Sequence, residues 1–316
     1  MSVYRELAWK VLEEADRVIL GKKNVTREIM AALLAGGHVL LEDIPGVGKT
    51  TLALAFSKMM GMEWKRVQFT PDVLPSDLTG FSLYRRDVQE FVYQPGAVFC
   101  NLLLADEINR TSPKTQSALL EVMEEHQVTV DGVTRKVPFP FFVIATQNPL
   151  GSAGTQMLPP AQMDRFLICM TIGYPDFKSE LAMAKETAEG SRTDHLHPMI
   201  GMKTLLEMQK EVSRLYIHDT VYEYIVKLIA ATRTNTYLEA GASPRGTIAL
   251  VKMARSAAWL SGNDFVSPSD VEEQFPMVVR HRMMPNVKAK VDGRDIEDII
   301  ADILENTKKP VMGRKQ

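Results

Sequence analysis

The spacing of apolar residues changes character along this chain, and the changes divide it. Over residues 4–18, apolar side chains recur at helical spacing among Arg5, Glu6, Lys10, Glu13, Glu14, Asp16 and Arg17, which predicts an amphipathic helix. After a bend at Ile19-Leu20-Gly21-Lys22, a second helix is expected over 25–35. Short apolar runs follow at Val39–Leu41, Trp64–Phe69, Leu102–Ala105, Phe139–Ala145 and Leu167–Ile172, each of strand length. Helical patterns over 50–60 and 113–126 separate some of them, an order that suits a parallel sheet. Beyond Tyr174-Pro175 the period becomes helical throughout. Helices are expected over 179–189, 202–215, 219–234, 244–260, 268–278 and 296–305, which makes 175–306 a small all-α unit after a first unit of 1–174.

Two stretches break this rhythm. Residues 70–99 carry Pro71, Pro75, Gly80, Pro95 and Gly96 around β-like runs at 80–84 and 90–93, and read as an inserted hairpin, either functional or a surface elaboration. A second hairpin is expected over 127–137 around Asp131-Gly132, where it could reach a pore or a substrate. Residues 307–316, with Lys308, Lys309, Arg314 and Lys315, read as a disordered basic tail or a remnant of expression.

The strongest chemistry lies where the Val39–Leu41 strand meets Asp43-Ile44-Pro45-Gly46-Val47-Gly48-Lys49-Thr50-Thr51. Pro45, Gly46 and Gly48 let the backbone turn tightly, and the helix that follows offers free N–H groups to an anion. Lys49 is placed to reach the outer phosphates of a nucleotide, and the hydroxyl of Thr50 can coordinate Mg²⁺. Asp43 stands where the G-x-x-x-x-G-K-[ST] pattern has glycine. It is expected to lie outside the tightest curve. The alternative is a plain strand-turn-helix with a solvated lysine.

Further candidates sit at later strand ends. Leu102–Asp106 runs into Glu107; on a continued strand the two acids would point to opposite sides, Asp106 to the metal shell and Glu107 to an attacking water. Asn148, after the next strand, can orient that water, or simply form a turn before Pro149. Arg165, just ahead of the last strand, can stabilise charge in a neighbouring subunit. Arg245 follows Ser243-Pro244 at a helix start, where a cap alone would not call for a cation, so a role on phosphates is the better reading. Residues 18–21, Gly21 among them, are either an adenine contact or core packing.

Composition narrows the setting. With 316 residues and 45% hydrophobic content the chain can bury a large core, and a net charge of -2 gives no global basic field for nucleic acid. Cys100 and Cys169 are too few for a disulfide framework and suit a reducing cytoplasm. No apolar run is long enough to span a membrane.

The ordered motifs resemble AAA+ ATPases. The runs 68–72, 74–80, 104–110, 145–149 and 164–166 are similar to the MoxR family in particular. The resemblance implies a P-loop NTPase fold, three-layer αβα with a five-stranded parallel sheet, plus a helical lid. It implies a Walker A loop at 46–51, a Walker B pair at Asp106 and Glu107, and sensor 1 at Asn148. Arg165 would be an arginine finger and Arg245 sensor 2. It also implies ATP and Mg²⁺ as ligands, a hexameric ring, and chaperone-like action on a protein client, often beside partners with a von Willebrand factor A domain. Gly96-Ala97 stands where the family would have Gly-Pro. Two other classes share this core: a nucleic-acid motor or loader, which should show basic and aromatic side chains on the 127–137 hairpin, and an assembly module that binds ATP with little turnover. That hairpin offers Arg135 and Lys136 but no aromatic residue.

Overall fold

The computed structural model describes residues 2–44, 46–148, 157–185 and 192–310. Pro45, the 149–156 segment, 186–191 and the tail from 311 onward lie outside the described residues.

Helix α1 (Val3–Val18) starts where the Ser2 side chain accepts the Tyr4 N–H, and α2 (Lys23–Leu34) follows. Then come β1 (Val39–Glu42), α3 (Lys49–Met59) and β2 (Trp64–Gln68). The insertion comprises a short α4 (Pro75–Thr79) and the antiparallel pair β3 (Phe81–Arg85) and β4 (Glu90–Gln94). The sequence reading missed α4 because its flanking prolines read as turns; Pro75 in fact occupies the first helical turn, where no N–H is needed.

Next are β5 (Leu102–Asp106), α5 (Pro113–Glu125), the hairpin β6 (Gln127–Val130) and β7 (Val133–Lys136), and β8 (Phe142–Gln147). Asp131 and Gly132 both have positive φ, 53° and 73°, as the tight turn requires. β8 begins three residues later than the apolar run suggests, beyond Pro140, which has no N–H for the ladder. The first unit ends with α6 (Pro160–Met163) and β9 (Ile168–Met170).

The sheet order is β2-β5-β8-β1-β9, and all its pairs are parallel. Alternate residues serve opposite faces. Val39, Leu41, Leu102, Leu104 and Ile144 join one buried core with α1, α2 and α3, whereas Leu40, Leu103, Ala105 and Val143 join another with α5. This gives three layers.

The lid contains α7 (Phe177–Lys185), α8 (Met202–Ser213), β10 (Tyr216–Ile217), α9 (Asp219–Thr234), β11 (Leu238–Ala240) and α10 (Pro244–Leu260). It continues through β12 (Phe265–Val266), α11 (Pro268–Val279), β13 (Met284–Pro285), α12 (Val287–Val291) and α13 (Ile296–Asn306). The helices dominate; β10 pairs with β12 and β11 with β13 as short braces between them. α1 belongs to both units: Arg5 donates to the carbonyls of Gly262 and Asn263 at 2.9 Å each, and Trp9 donates to Leu260 O at 2.7 Å. Among the described residues no helix is long and apolar enough to cross a membrane.

Two buried titratable groups set opposite pH responses. His38 accepts the Val143 N–H at Nδ1 (3.1 Å) and donates from Nε2 to Met123 O (3.1 Å), and burial pushes its pKa down to about 4. Below pH 6.5 the unfolded chain takes up a proton that the folded chain refuses, so stability is lost until pH nears 4. Glu28, between α2 and α11, is pushed up to about 7 by burial, so its contribution is present below pH 4.5 and lost as pH rises to 7. The two oppose each other between 4.5 and 6.5. Glu28→Gln should therefore be more stable than wild type at pH 8 and should lose stability more steeply between pH 6.5 and 4.5, as read by urea midpoints across the range.

Candidate nucleotide site

The end of β1 sets the site. The Asp43 N–H donates to Gln147 O at 3.1 Å, carrying the ladder one step past the strand, and the chain then turns through Gly46 (φ +88°) and Gly48 (φ +91°). Both are left-handed positions that favour glycine. Gly48 is the N-cap of α3 and no side chain fills that cap, so the first N–H groups of the helix are left for an anion. Lys49 is buried at 8% exposure, with Nζ held on Asp43 O at 3.2 Å. Val47 packs against the core, Thr50 is half-buried and Thr51 is exposed; Pro45 lies outside the described residues.

Asp43 has a structural task. Its carboxylate accepts the N–H of Ile172, and that of Gly173 at 3.1 Å, so it clamps the loop to the chain leaving β9. It has no positive φ, which is why glycine is not needed there.

Opposite the loop stand the acids. Asp106, the last residue of β5, accepts Thr146 Oγ1 at 2.7 Å and Arg66 Nη2 at 2.6 Å. Glu107 is not a further strand residue: it is left-handed (φ 56°, ψ 48°), with its N–H on Thr146 Oγ1 at 2.8 Å. A turn, rather than the pleat, therefore separates the two carboxylates, which corrects the sequence reading. Glu107 Oε2 accepts Gln68 Nε2 at 2.8 Å and Arg110 Nη1 at 2.6 Å. The sequence reading missed Arg66, Gln68 and Arg110. The register Gln68↔Asp106 brings β2 alongside, and the only sequence signal was that 66 and 68 share a strand face.

Gly46, Gly48, Lys49 and Thr50 on one side and Arg66, Gln68, Asp106 and Glu107 on the other line a cleft of about 420 Å³. It has the cradle and cation that a nucleotide's phosphates require. Thr50 and Asp106 could hold a Mg²⁺ that takes its other oxygens from phosphate and water. Among the described residues no cluster of three or more His, Cys, Asp or Glu is arranged to hold a metal alone.

Asn148 follows β8 at this same carboxyl edge of the sheet. Gly21 is not among the residues lining that cleft; it lies tight against Ser179 and Asp176 of the lid entry, and its neighbour Lys22 donates to Ile172 O and Tyr174 O, in the segment that Asp43 clamps. The two remaining arginines are elsewhere. Leu167 N–H donates to His38 O at 2.8 Å, so the segment bearing Arg165 enters the sheet at its amino edge, roughly 13 Å from the loop along β1. Arg165 binds Glu124 at 2.6 Å, and Arg245 binds the other oxygen of Glu124 at 2.5 Å. Arg245 therefore does not join Lys49 in the chain's own cleft. The cause is local: Ser243 Oγ and Arg282 Nε both hold Asp164, at 2.8 Å each, and pin the start of α10 beside Arg165.

Comparison with known proteins agrees with this geometry. Residues 38–168 match the family described as "ATPase family associated with various cellular activities (AAA)", and 230–303 match the AAA lid domain. The chaperone MoxR1 of Mycobacterium tuberculosis is 37% identical over 95% of this chain and 82% of its own length. This chain belongs to the MoxR family of AAA+ ATPases. The YeaC protein of Bacillus subtilis is 47% identical over 96% of this chain and 95% of its own length. A crystal structure of a proposed ATPase from Cytophaga hutchinsonii superposes with a TM-score of 0.92 at 35% identity, covering 98% of this chain and 96% of that one.

Restoring the usual glycine at Asp43 tests how this MoxR-family chain holds its loop. Asp43→Gly should lower stability by roughly 2 kcal/mol, because one buried and one part-buried N–H lose a charged acceptor, while nucleotide still binds. Urea unfolding with and without nucleotide would check both halves.

Proposed function

We propose that this chain hydrolyses MgATP at interfaces between copies of itself, in a ring, and uses the cycle to remodel or mature a protein client in the cytoplasm. The observation that carries this reading is the separation of the site into two halves. The cradle and acids lie at the carboxyl edge of the sheet, and Arg165 and Arg245 at the amino edge. A neighbour is the simplest source of the missing cations.

In this reading Lys49 and the loop N–H groups hold the β- and γ-phosphates. Asn148 orients a water, which attacks the γ-phosphorus as its proton passes to Glu107, and ADP departs with the bridging oxygen. The Mg²⁺ held by Thr50 and Asp106 would neutralise phosphate charge. Arg165 and Arg245 of the adjacent copy stabilise charge on the transferred group. Gln68 and Arg110 both bond Glu107 through Oε2, which orients the carboxylate so that the water would be taken at Oε1.

The protein-client reading is supported by the M. tuberculosis relative, which is named a chaperone. A client or co-partner with a von Willebrand factor A domain, and a ring of six, belong to the same proposal. A nucleic-acid motor is the weaker reading. Arg135 of the second hairpin is spent internally: it stacks on Tyr93 of the first hairpin, 3.8 Å from the ring centroid, and donates to Val130 O and Val133 O. The presence of Glu107 and Arg165 argues against a module that only binds ATP.

The test is steady-state ATP hydrolysis against protein concentration, with mass by light scattering. The specific rate should rise with assembly. Arg165→Ala should lower it by roughly 10³ with nucleotide binding retained, and Glu107→Gln by at least about 10². A rate indifferent to concentration and to Arg165 would overturn the shared site.

A further inference from the structure

Arg165 and Arg245 come from different units of the chain, yet they end on one residue. Arg165 lies in the loop before β9 and Arg245 in the first turn of α10. Glu124, in the last turn of α5, takes Arg165 on Oε2 (2.6 Å) and Arg245 on Oε1 (2.5 Å). Arg165 has a second anchor in Leu120 O at 3.1 Å.

Two guanidinium groups this close repel each other, and a helix N-terminus disfavours a cation, so Arg245 sits where its own helix opposes it. The carboxylate between them removes both objections. The three side chains are 33%, 41% and 46% exposed for Arg165, Glu124 and Arg245. Ion pairs so exposed add little to folding stability. What this one supplies is geometry, and Asp164 supports it from behind, holding Ser243 and Arg282 of the lid at 2.8 Å each.

We propose that Glu124 is a positioning residue that holds Arg165 and Arg245 as one unit for delivery to the phosphates of the neighbouring copy. The inference rests on the shared-site reading above. Glu124 lies one residue before the end of α5, and the second hairpin starts at Gln127. When the arginines move onto phosphate, the carboxylate they release is at the root of that hairpin. The neighbour's nucleotide state is thereby read at the hairpin's base.

The test is a double-variant cycle on the full chain, with kcat and KM for ATP measured at a concentration where light scattering shows full assembly. Glu124→Gln should lower kcat by roughly tenfold with KM within about twofold, because the chain's own cradle is untouched. Glu124→Asp should recover part of the loss. Arg245→Ala with Glu124→Gln should lose less than the product of the two single losses, since the Arg245–Glu124 pair can be broken only once while the Arg165–Glu124 pair is still there to lose. An unchanged or raised kcat in Glu124→Gln, or multiplicative losses in the double variant, would overturn the proposal. Arg165→Ala in the same series separates the two ideas. If it loses nothing, the shared site itself fails; if it collapses while Glu124→Gln is silent, only the positioning role fails.

Discussion

The polarity of a parallel sheet governs this molecule. Every strand of the main sheet runs the same way, so all the loops that can hold phosphate gather at one edge, and whatever precedes the strands gathers at the other. Lys49, Thr50, Asp106 and Asn148 belong to the first edge, and Arg165 to the second. No side-chain rotamer closes a gap of a strand's length. On the proposed reading, a site that uses both sets would be assembled from two molecules with the edges apposed, and its dependence on assembly would follow from strand direction rather than from any special interface residue.

Carboxylates do most of the holding at both edges. Asp43 ties the phosphate loop to the exit of β9; Asp106 and Glu107 are occupied by Arg66, Arg110, Gln68 and Thr146; Glu124 and Asp164 manage the arginines at the amino edge. At the cleft the two acidic charges are met by arginine, Asp106 by Arg66 and Glu107 by Arg110.

Sequence period and local chemistry made much of this legible. Helices such as Pro244–Leu260 announce themselves by a Ser-Pro start and a wide apolar stripe, and the phosphate loop by glycines between a strand and a helix. What escaped depended on pairing between distant segments. Arg66 and Gln68 matter only because β2 lies beside β5 in a particular register, and Arg110 only because Glu107 turns left-handed at the strand end. The position of Arg245 was hidden for the same reason: its helix start was readable, but the Asp164 clasp that directs it to the amino edge spans 79 residues of sequence. Asp43 read as a departure from a pattern because its partners, Ile172 and Gly173, are remote in sequence.

The lid's attachment limits how this machine can move. One apolar core runs from the sheet through α1 and α2 into the lid without a break, with Trp259, Tyr224 and Phe275 fully buried in it. At the far end Arg282, its side chain only 2% exposed, holds Asp164 and donates to Phe166 O at 2.5 Å. Large apolar contact at one end and a buried cation at the other tie the two units together. Exposure is concentrated elsewhere, on the arginines of the amino edge and on the two hairpins, where Phe91 is 73% and Val133 51% exposed. On the proposed reading those are the parts that would meet a neighbour or a client. In the proposed ring, whole subunits would shift against each other, and each shift would be registered where one copy's arginines rest on the next copy's phosphates.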